Sequence, residues 1–328
     1  MSLRLAADIG GTRSRILVKD VQQREIWRQS YPSANYASLT QLLREVIAQT
    51  GPIDAACLAV AGPVNPTREG QQAQVTNLPW LLDSEQLKAE LNIPWLLLIN
   101  DFAAVGYGLD ELAESDLLTL QPGKPQPNAP RALIGAGTGL GQALLLPQPQ
   151  GYRVHATEGG HVDFAPNNAL QQELLTTLNQ RYPHVSVERV LSGPGLVAIF
   201  SFLADRAALP SDALEAILSQ DDAAAHISHL ANQQQHPLAR QALDMFVQIY
   251  GAQAGNLALS VLPYGGLYIA GGIAAKILPR LQKGDFMAAF LHKGRMNKLL
   301  TQIPVNIVLN PDVGLLGALK LASSRQRP

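Results

Sequence analysis

The 328-residue chain reads as a layered α/β protein, of two domains or one large one. Short apolar runs alternate with amphipathic helical stretches as far as Ile99, the pattern of sheets covered by helices. Two apolar runs, Leu3–Ala7 and Arg131–Ile134, feed glycine-rich turns, which are strand ends with unshielded backbone. Hydrophobic residues make up 47% of the chain and charged ones 16%. That composition can bury a large core, and the length fits two domains or one large one, since single cores rarely grow past about 250–300 residues.

The elements follow in order. Leu3–Ala7 is a strand, Asp8–Thr12 a glycine turn, and Ser14–Asp20 a returning strand with Ile16 and Val18 alternating. Tyr36, Leu39, Leu43, Val46 and Ile47 fall at helical spacing, with Ser38 and Gln41 as a capping box and Gly51 as the stop. Ile53–Ala61 is a buried strand ended by Gly62-Pro63. Asp83 and Gln86 open a short helix, and Ile93–Ile99 is a further buried strand. The proline-rich stretch Gln121–Pro130 is a loop between domains. After it the strand–glycine turn–strand pattern recurs, and Pro147–Gly151 links a hairpin to Tyr152–Ala156. Helical patterns dominate from Leu170 to Leu259. Gly266–Ala270 and Ile303–Leu309 are the last strands, and Asp312 is placed to cap a closing helix that holds Gly314 and Gly317.

Composition excludes several classes. The net charge is -1 and basic residues are scattered, so neither nucleic acid nor an anionic membrane is an expected partner. The single cysteine, Cys57, rules out an intrachain disulfide and a multi-cysteine zinc site. It lies in an apolar run and reads as a buried thiol. No secretory leader and no membrane span are expected, which makes this a soluble cytoplasmic chain.

The chemistry gathers at the glycine turns. Asp8-Ile9-Gly10-Gly11-Thr12 and Gly135-Ala136-Gly137-Thr138-Gly139-Leu140-Gly141 each offer backbone N–H groups of the kind a polyphosphate needs at close range. Two such turns suggest one phosphate chain gripped from both sides. Asn100-Asp101 ends a buried strand and begins a helical run. Asp101 reads either as that helix's N-cap or as a general base at a strand end, where ligands of α/β sheets bind. His155, Glu158 and His161 have a tempting metal spacing, but Gly159 and Gly160 argue against the helix such a site needs. An acid and an imidazole on a glycine turn suit sugar hydroxyls better. Glu188–Gly195 is a third polar-to-glycine transition. A P-loop is excluded because Gly123-Lys124 runs into Pro125. The Gly135–Gly141 spacing fails the dinucleotide fingerprint, and there is no nucleophile elbow.

Six segments, taken in order, resemble the bacterial ATP-dependent glucokinases of the proteobacterial type. They are Asp8-Ile-Gly-Gly-Thr12, Ile99-Asn-Asp-Phe102, Gly135-Ala-Gly-Thr-Gly-Leu-Gly141, Glu158-Gly-Gly-His-Val-Asp-Phe-Ala-Pro166, Glu188-Arg-Val-Leu-Ser-Gly-Pro-Gly195 and Ile269-Ala-Gly-Gly272. The resemblance runs from residue 3 to about residue 320 and implies the two-domain actin-like ATPase (ribonuclease H-like) fold with a central cleft. The small domain would be 1–110, completed by a C-terminal helix around 300–328, and the large domain 111–299. The implied reaction transfers phosphate from ATP, with Mg²⁺, to the 6-hydroxyl of glucose.

The same resemblance assigns roles. Asp101 would be the base, and Asn100, Glu158, His161 and Glu188 would hold the sugar. Ala7, Asp8, Ile9, Gly10, Gly11, Thr12, Thr138 and Gly139 would hold the phosphates, and Gly271 and Gly272 the adenosine. Asp8 would orient the Mg²⁺, and the chain would assemble as a homodimer. The cysteine-rich zinc motif of the related repressor and kinase group is missing, and its helix-turn-helix extension is not expected. Arg13-Ser14 stands where the family pattern expects Asn-Ala, which leaves the role of Arg13 open. Rival readings are a kinase for another hexose or an amino sugar, a non-catalytic sugar sensor, and a chaperone-like ATPase of the same superfamily.

Overall fold

The computed structural model describes residues 2–233 and 236–325. Its contacts divide into two units, Met1–Asp116 with Tyr152–Ala156 and Asn310–Pro328, and Leu117–Gly151 with Thr157–Leu309.

The first unit is organised by strands β1 (Leu3–Ile9), β2 (Arg13–Asp20), β3 (Glu25–Pro32) and β4 (Ala55–Val60). A small separate sheet follows, of β5 (Val64–Pro66), β6 (Gln71–Gln74) and β7 (Leu81–Asp83), and then β8 (Trp95–Asn100). The main sheet has the order β3-β2-β1-β4-β8. Strand β4 is buried at every position, as expected of a parallel strand covered on both faces. Strands β1, β4 and β8 run parallel and in register, so that Ile9 faces Val60 and Val60 faces Asn100. The glycine turn after β1 and the Asn100-Asp101 pair therefore emerge at the same C-terminal edge. Two strand spacings separate them, about 10 Å.

Ser38 caps the helix Leu39–Thr50 through Gln41 N–H, as the sequence predicts, while the Gln41 side chain accepts from Ala37 N–H, one residue before the cap, in place of the Ser38 N–H of a capping box. Tyr36 lies outside that helix and packs edge-on against Tyr31. Strand β3 is not foreseen because it is a mostly exposed edge with no apolar alternation. The strands β5–β7 are too short and polar to carry a periodic signal. Gln71 seals the outer edge of β8, donating to Leu98 C=O at 2.8 Å and accepting from Leu98 N–H at 3.0 Å. A side-chain amide thus blunts an open sheet edge.

The second sheet is formed by β9 (Leu117–Gln121), β10 (Arg131–Ala136), β11 (Leu140–Gln148), β12 (Gly151–Thr157), β13 (Leu267–Ala270) and β14 (Val305–Val308), of which only Tyr152–Ala156 of β12 count with the first unit. Their order is β12-β11-β10-β13-β14-β9. Without β9 it repeats the order of the first sheet, and the repeated strand–Gly–Thr–strand pattern is its trace in the sequence. A 25-residue helix, Pro237–Val261, carries the fully buried Phe246 and Tyr250 into a core shared with Phe200, Phe286 and Phe290.

The helix Val313–Ser324 belongs to the first unit and crosses the helix Asp101–Gly108 through Gly317. Asp312 sits at its N-cap position but makes no capping bond. Its carboxylate is taken by Arg15 and Arg28, so the cap expected there is an ion-pair partner instead. Cys57 is fully buried, and burial pushes its thiol pKa up, as expected of an inert structural cysteine.

Candidate functional site

In the first unit, Ser14 and Ser33 form a buried hydroxyl pair beneath the glycine turn. The Ser33 hydroxyl donates to Gly10 C=O at 2.8 Å, and Ser33 N–H donates to Thr12 C=O at 3.0 Å. These braces hold turn carbonyls on the protein side, while Thr12 is exposed. Asp8 Oδ2 accepts from Arg15 at 2.6 and 3.2 Å, and Arg15 also reaches Pro311 C=O and Asp312. The Asp8 side chain keeps 27% of its surface exposed. Among the described residues no three His, Cys, Asp or Glu side chains gather around a common point. This donor set suits a divalent cation that arrives on a polyphosphate and meets one carboxylate, and it does not suit a cage of protein ligands.

Asn100 is the N-cap of the helix Asp101–Gly108, accepting from Phe102 N–H and Ala103 N–H at 2.9 and 3.1 Å. Its amide nitrogen donates to Gly62 C=O at 3.2 Å. With the cap supplied by Asn100, the carboxylate of Asp101 is the first side chain of the helix. Its Oδ1 accepts from Phe102 N–H at 2.8 Å, and the residue is half-buried at the strand edge.

In the second unit, the turn after β10 and Gly271 after β13 stand side by side, because β10 and β13 are parallel with Gly135 opposite Ala270. Gly271 has φ +90, and a Cβ there would meet Ala136 C=O at 2.7 Å, so only glycine fits. The Tyr250 hydroxyl accepts from Ala136 N–H at 3.1 Å and donates to Ala270 C=O at 3.5 Å. It ties the two strand ends together, and burial pushes its pKa up.

Glu158 and His161 flank a short 3-10 turn, with their side chains 3.8 Å apart and 74 and 60% exposed. Gln142 holds this turn by donating to Gly159 C=O at 3.2 Å, and His184 does so by donating to His161 C=O at 3.0 Å. Glu188 accepts from Leu140 N–H at 2.8 Å. Leu140 directly follows Gly139, and a Cβ on Gly160 would strike its carbonyl. Thr138, Gly139, Glu158, His161 and Glu188 are thereby gathered around one backbone segment.

The supporting residues Ser33, Arg15, Gln142, His184 and Tyr250 are not singled out in the sequence. Tyr250 leaves a trace, a hydroxyl-bearing ring inside an otherwise apolar helical face. The others carry no local pattern.

A family model described as Glucokinase matches residues 5–325. The chain is 46% identical to the glucokinase of Nostoc punctiforme over 97% of this chain and 98% of that protein. The glucokinase crystal structure from an Antarctic psychrotroph is 32% identical, with TM-score 0.81 over 99% of both chains. A glucokinase from Balamuthia mandrillaris, solved in complex with glucose, shares the fold at TM-score 0.82 and 23% identity, covering 98% of this chain and 93% of that one.

Proposed function

Because the chain belongs to the glucokinase family, we propose that it transfers the terminal phosphoryl group of ATP to the 6-hydroxyl of glucose, with Asp101 as the general base. The observation that carries this reading is the division of labour at the β8 edge. Asn100 caps the helix, and the carboxylate beside it stands at the same sheet edge as the Asp8–Thr12 turn.

In the proposed step the glucose 6-oxygen attacks the γ-phosphorus while its proton passes to Asp101. The bond from the γ-phosphorus to the β,γ-bridging oxygen breaks, and ADP leaves. Such transfers depend on in-line placement and charge neutralisation more than on covalent help. Backbone N–H groups of Gly11–Thr12 and Thr138–Gly139 address the phosphates, the Gly10 N–H being held within the turn by Arg13 C=O at 3.1 Å, and the wall made by Gly271 and Gly272 lies toward the adenosine. Mg²⁺ supplies neutralisation of the triphosphate charge, with Asp8 as the carboxylate that orients it. Asn100, Glu158, His161 and Glu188 hold the sugar hydroxyls. The same reading takes the protein to be a cytoplasmic enzyme, assembled as a homodimer.

The test is a kcat/KM panel over glucose, mannose, galactose, fructose, N-acetylglucosamine and N-acetylmannosamine, scored by ADP release. Glucose should win clearly, because a polar group left unpaired by a misplaced hydroxyl costs far more than a poor steric fit. A different winner would keep the kinase and overturn the substrate.

A further inference from the structure

The segment that begins with Glu188 is fastened to the turn Gly137–Gly139 by two bonds. Gly193 N–H donates to Gly137 C=O at 2.8 Å, and Leu140 N–H donates to Glu188 Oε2 at 2.8 Å. The backbone of Glu188 is itself fixed. Its carbonyl accepts from the Ser192 hydroxyl at 2.7 Å, and that hydroxyl caps the following helix by accepting from Gly195 N–H at 3.1 Å. A carboxylate offers about four acceptor directions on two oxygens, and the turn engages Oε2. A Cβ on Gly139 would lie 2.6 Å from Oε2 and 3.9 Å from Oε1. Gly139 does not have a positive φ, so its backbone would accept alanine. What requires glycine there is the carboxylate.

We infer that Glu188 is a positioning residue for the phosphate turn as well as a sugar ligand. Its Oε2 latches Leu140 N–H and leaves Oε1 for a sugar hydroxyl. This rests on the reading above, in which Glu188 faces glucose and Thr138–Gly139 faces the phosphates. A hydroxyl bonded to Oε1 stops the carboxylate from rotating off the turn. A turn held by phosphate presents the N–H that aims the carboxylate. Each ligand therefore prepares the surface of the other, and the coupling is reciprocal.

The test is a double-mutant cycle on glucose binding to nucleotide-free protein. Gly139→Ala pushes the carboxylate off Leu140 N–H and should raise the glucose Kd about tenfold, the loss expected for one charge-assisted hydrogen bond. In a Glu188→Ala background the same substitution should change nothing further, because no carboxylate remains to displace. In wild-type protein glucose should tighten ADP binding by at least about fivefold, and Gly139→Ala should bring that factor toward one. Wild-type glucose affinity in Gly139→Ala, or the same effect in both backgrounds, would overturn the inference.

Should Gly139→Ala fail to fold, Glu188→Asp keeps the charge and shortens the reach. It should then weaken ADP binding to sugar-free protein about tenfold, and unchanged ADP affinity would overturn the latch. Failure of the underlying reading looks different: wild-type protein would neither bind nor phosphorylate glucose.

Discussion

Replacing Gly317 with alanine should separate the two helices on which Asp101 depends. A Cβ at 317 would lie 2.6 Å from Gly108 N and closer still to Ala104 C=O. Non-bonded carbon contacts relax only at roughly 3.5–4.0 Å, so the helices must part by about 1.5 Å. Both obstacles are backbone and cannot rotate away. The cost therefore sits near the top of the usual overpacking range, about 3 kcal/mol. Alanine returns about 0.5–1 kcal/mol through its helix propensity, which leaves a net loss of about 2 kcal/mol. For a unit of this size that corresponds to a Tm lower by roughly 4–8 °C. The displaced helix begins at Asp101, and a 1 Å error at a reacting group can cost about 10²-fold, so kcat should fall at least tenfold. Gly314→Ala is the control, because a Cβ there meets Val105 at an ordinary 3.7 Å. It should be neutral or slightly stabilising. Scanning calorimetry and steady-state kinetics on both variants decide the matter. A Gly317→Ala protein as stable and active as Gly314→Ala would refute the reasoning.

Tyr250→Phe should remove the only described partner for Ala136 N–H among side chains and cost about 1–3 kcal/mol, the price of a buried unsatisfied donor; an unchanged melt would mean that the hydroxyl is not the tie. Acid sensitivity should involve Asp20 and Asp83. Burial pushes the Asp20 carboxyl up, but N–H donors from Gln22 and Arg24 and the Arg24 charge outweigh it, so its pKa ends lowered. The pKa of Asp83 is lowered first by Gln86 N–H at the helix cap. A lowered folded pKa means stability that is present above about pH 4 and lost as pH falls through the folded value. Asp20→Asn and Asp83→Asn should therefore melt below wild type at pH 7 and approach it as acid titrates the carboxylates, and a gap that stays constant with pH would contradict this.

Much of the fold is legible because its central strands are apolar throughout and end in glycine. Ala55–Val60 and Arg131–Ala136 announce themselves, as do the capping pair Ser38 and Gln41 and the cap at Asp83. Strand β3 and the small β5–β7 sheet stay hidden because neither buries a regular face, although each strand pairs with its neighbour in sequence. The exposed site residues are legible as motifs, since polar groups on glycine turns stand out against an apolar chain. Their supports are not. Arg15 meets Asp312 across 297 positions, Tyr250 reaches Ala136 across 114, and Leu140 donates to Glu188 across 48. No local pattern encodes such distances. Asp312 illustrates the converse, a residue in cap position whose carboxylate goes to distant arginines, where both partners are ionised, in place of backbone N–H groups.

The most direct measurement is the turnover of Asp101→Asn with glucose and ATP, made beside a titration of glucose binding to the same variant. Asparagine keeps the shape and a hydrogen-bonding oxygen for Phe102 N–H but cannot take the proton. If Asp101 is the base, kcat falls by about 10²–10⁴-fold while glucose still binds with an affinity close to that of the wild-type protein. A variant that keeps more than a tenth of wild-type kcat would make Asp101 a structural partner of the helix start and contradict the proposed chemistry.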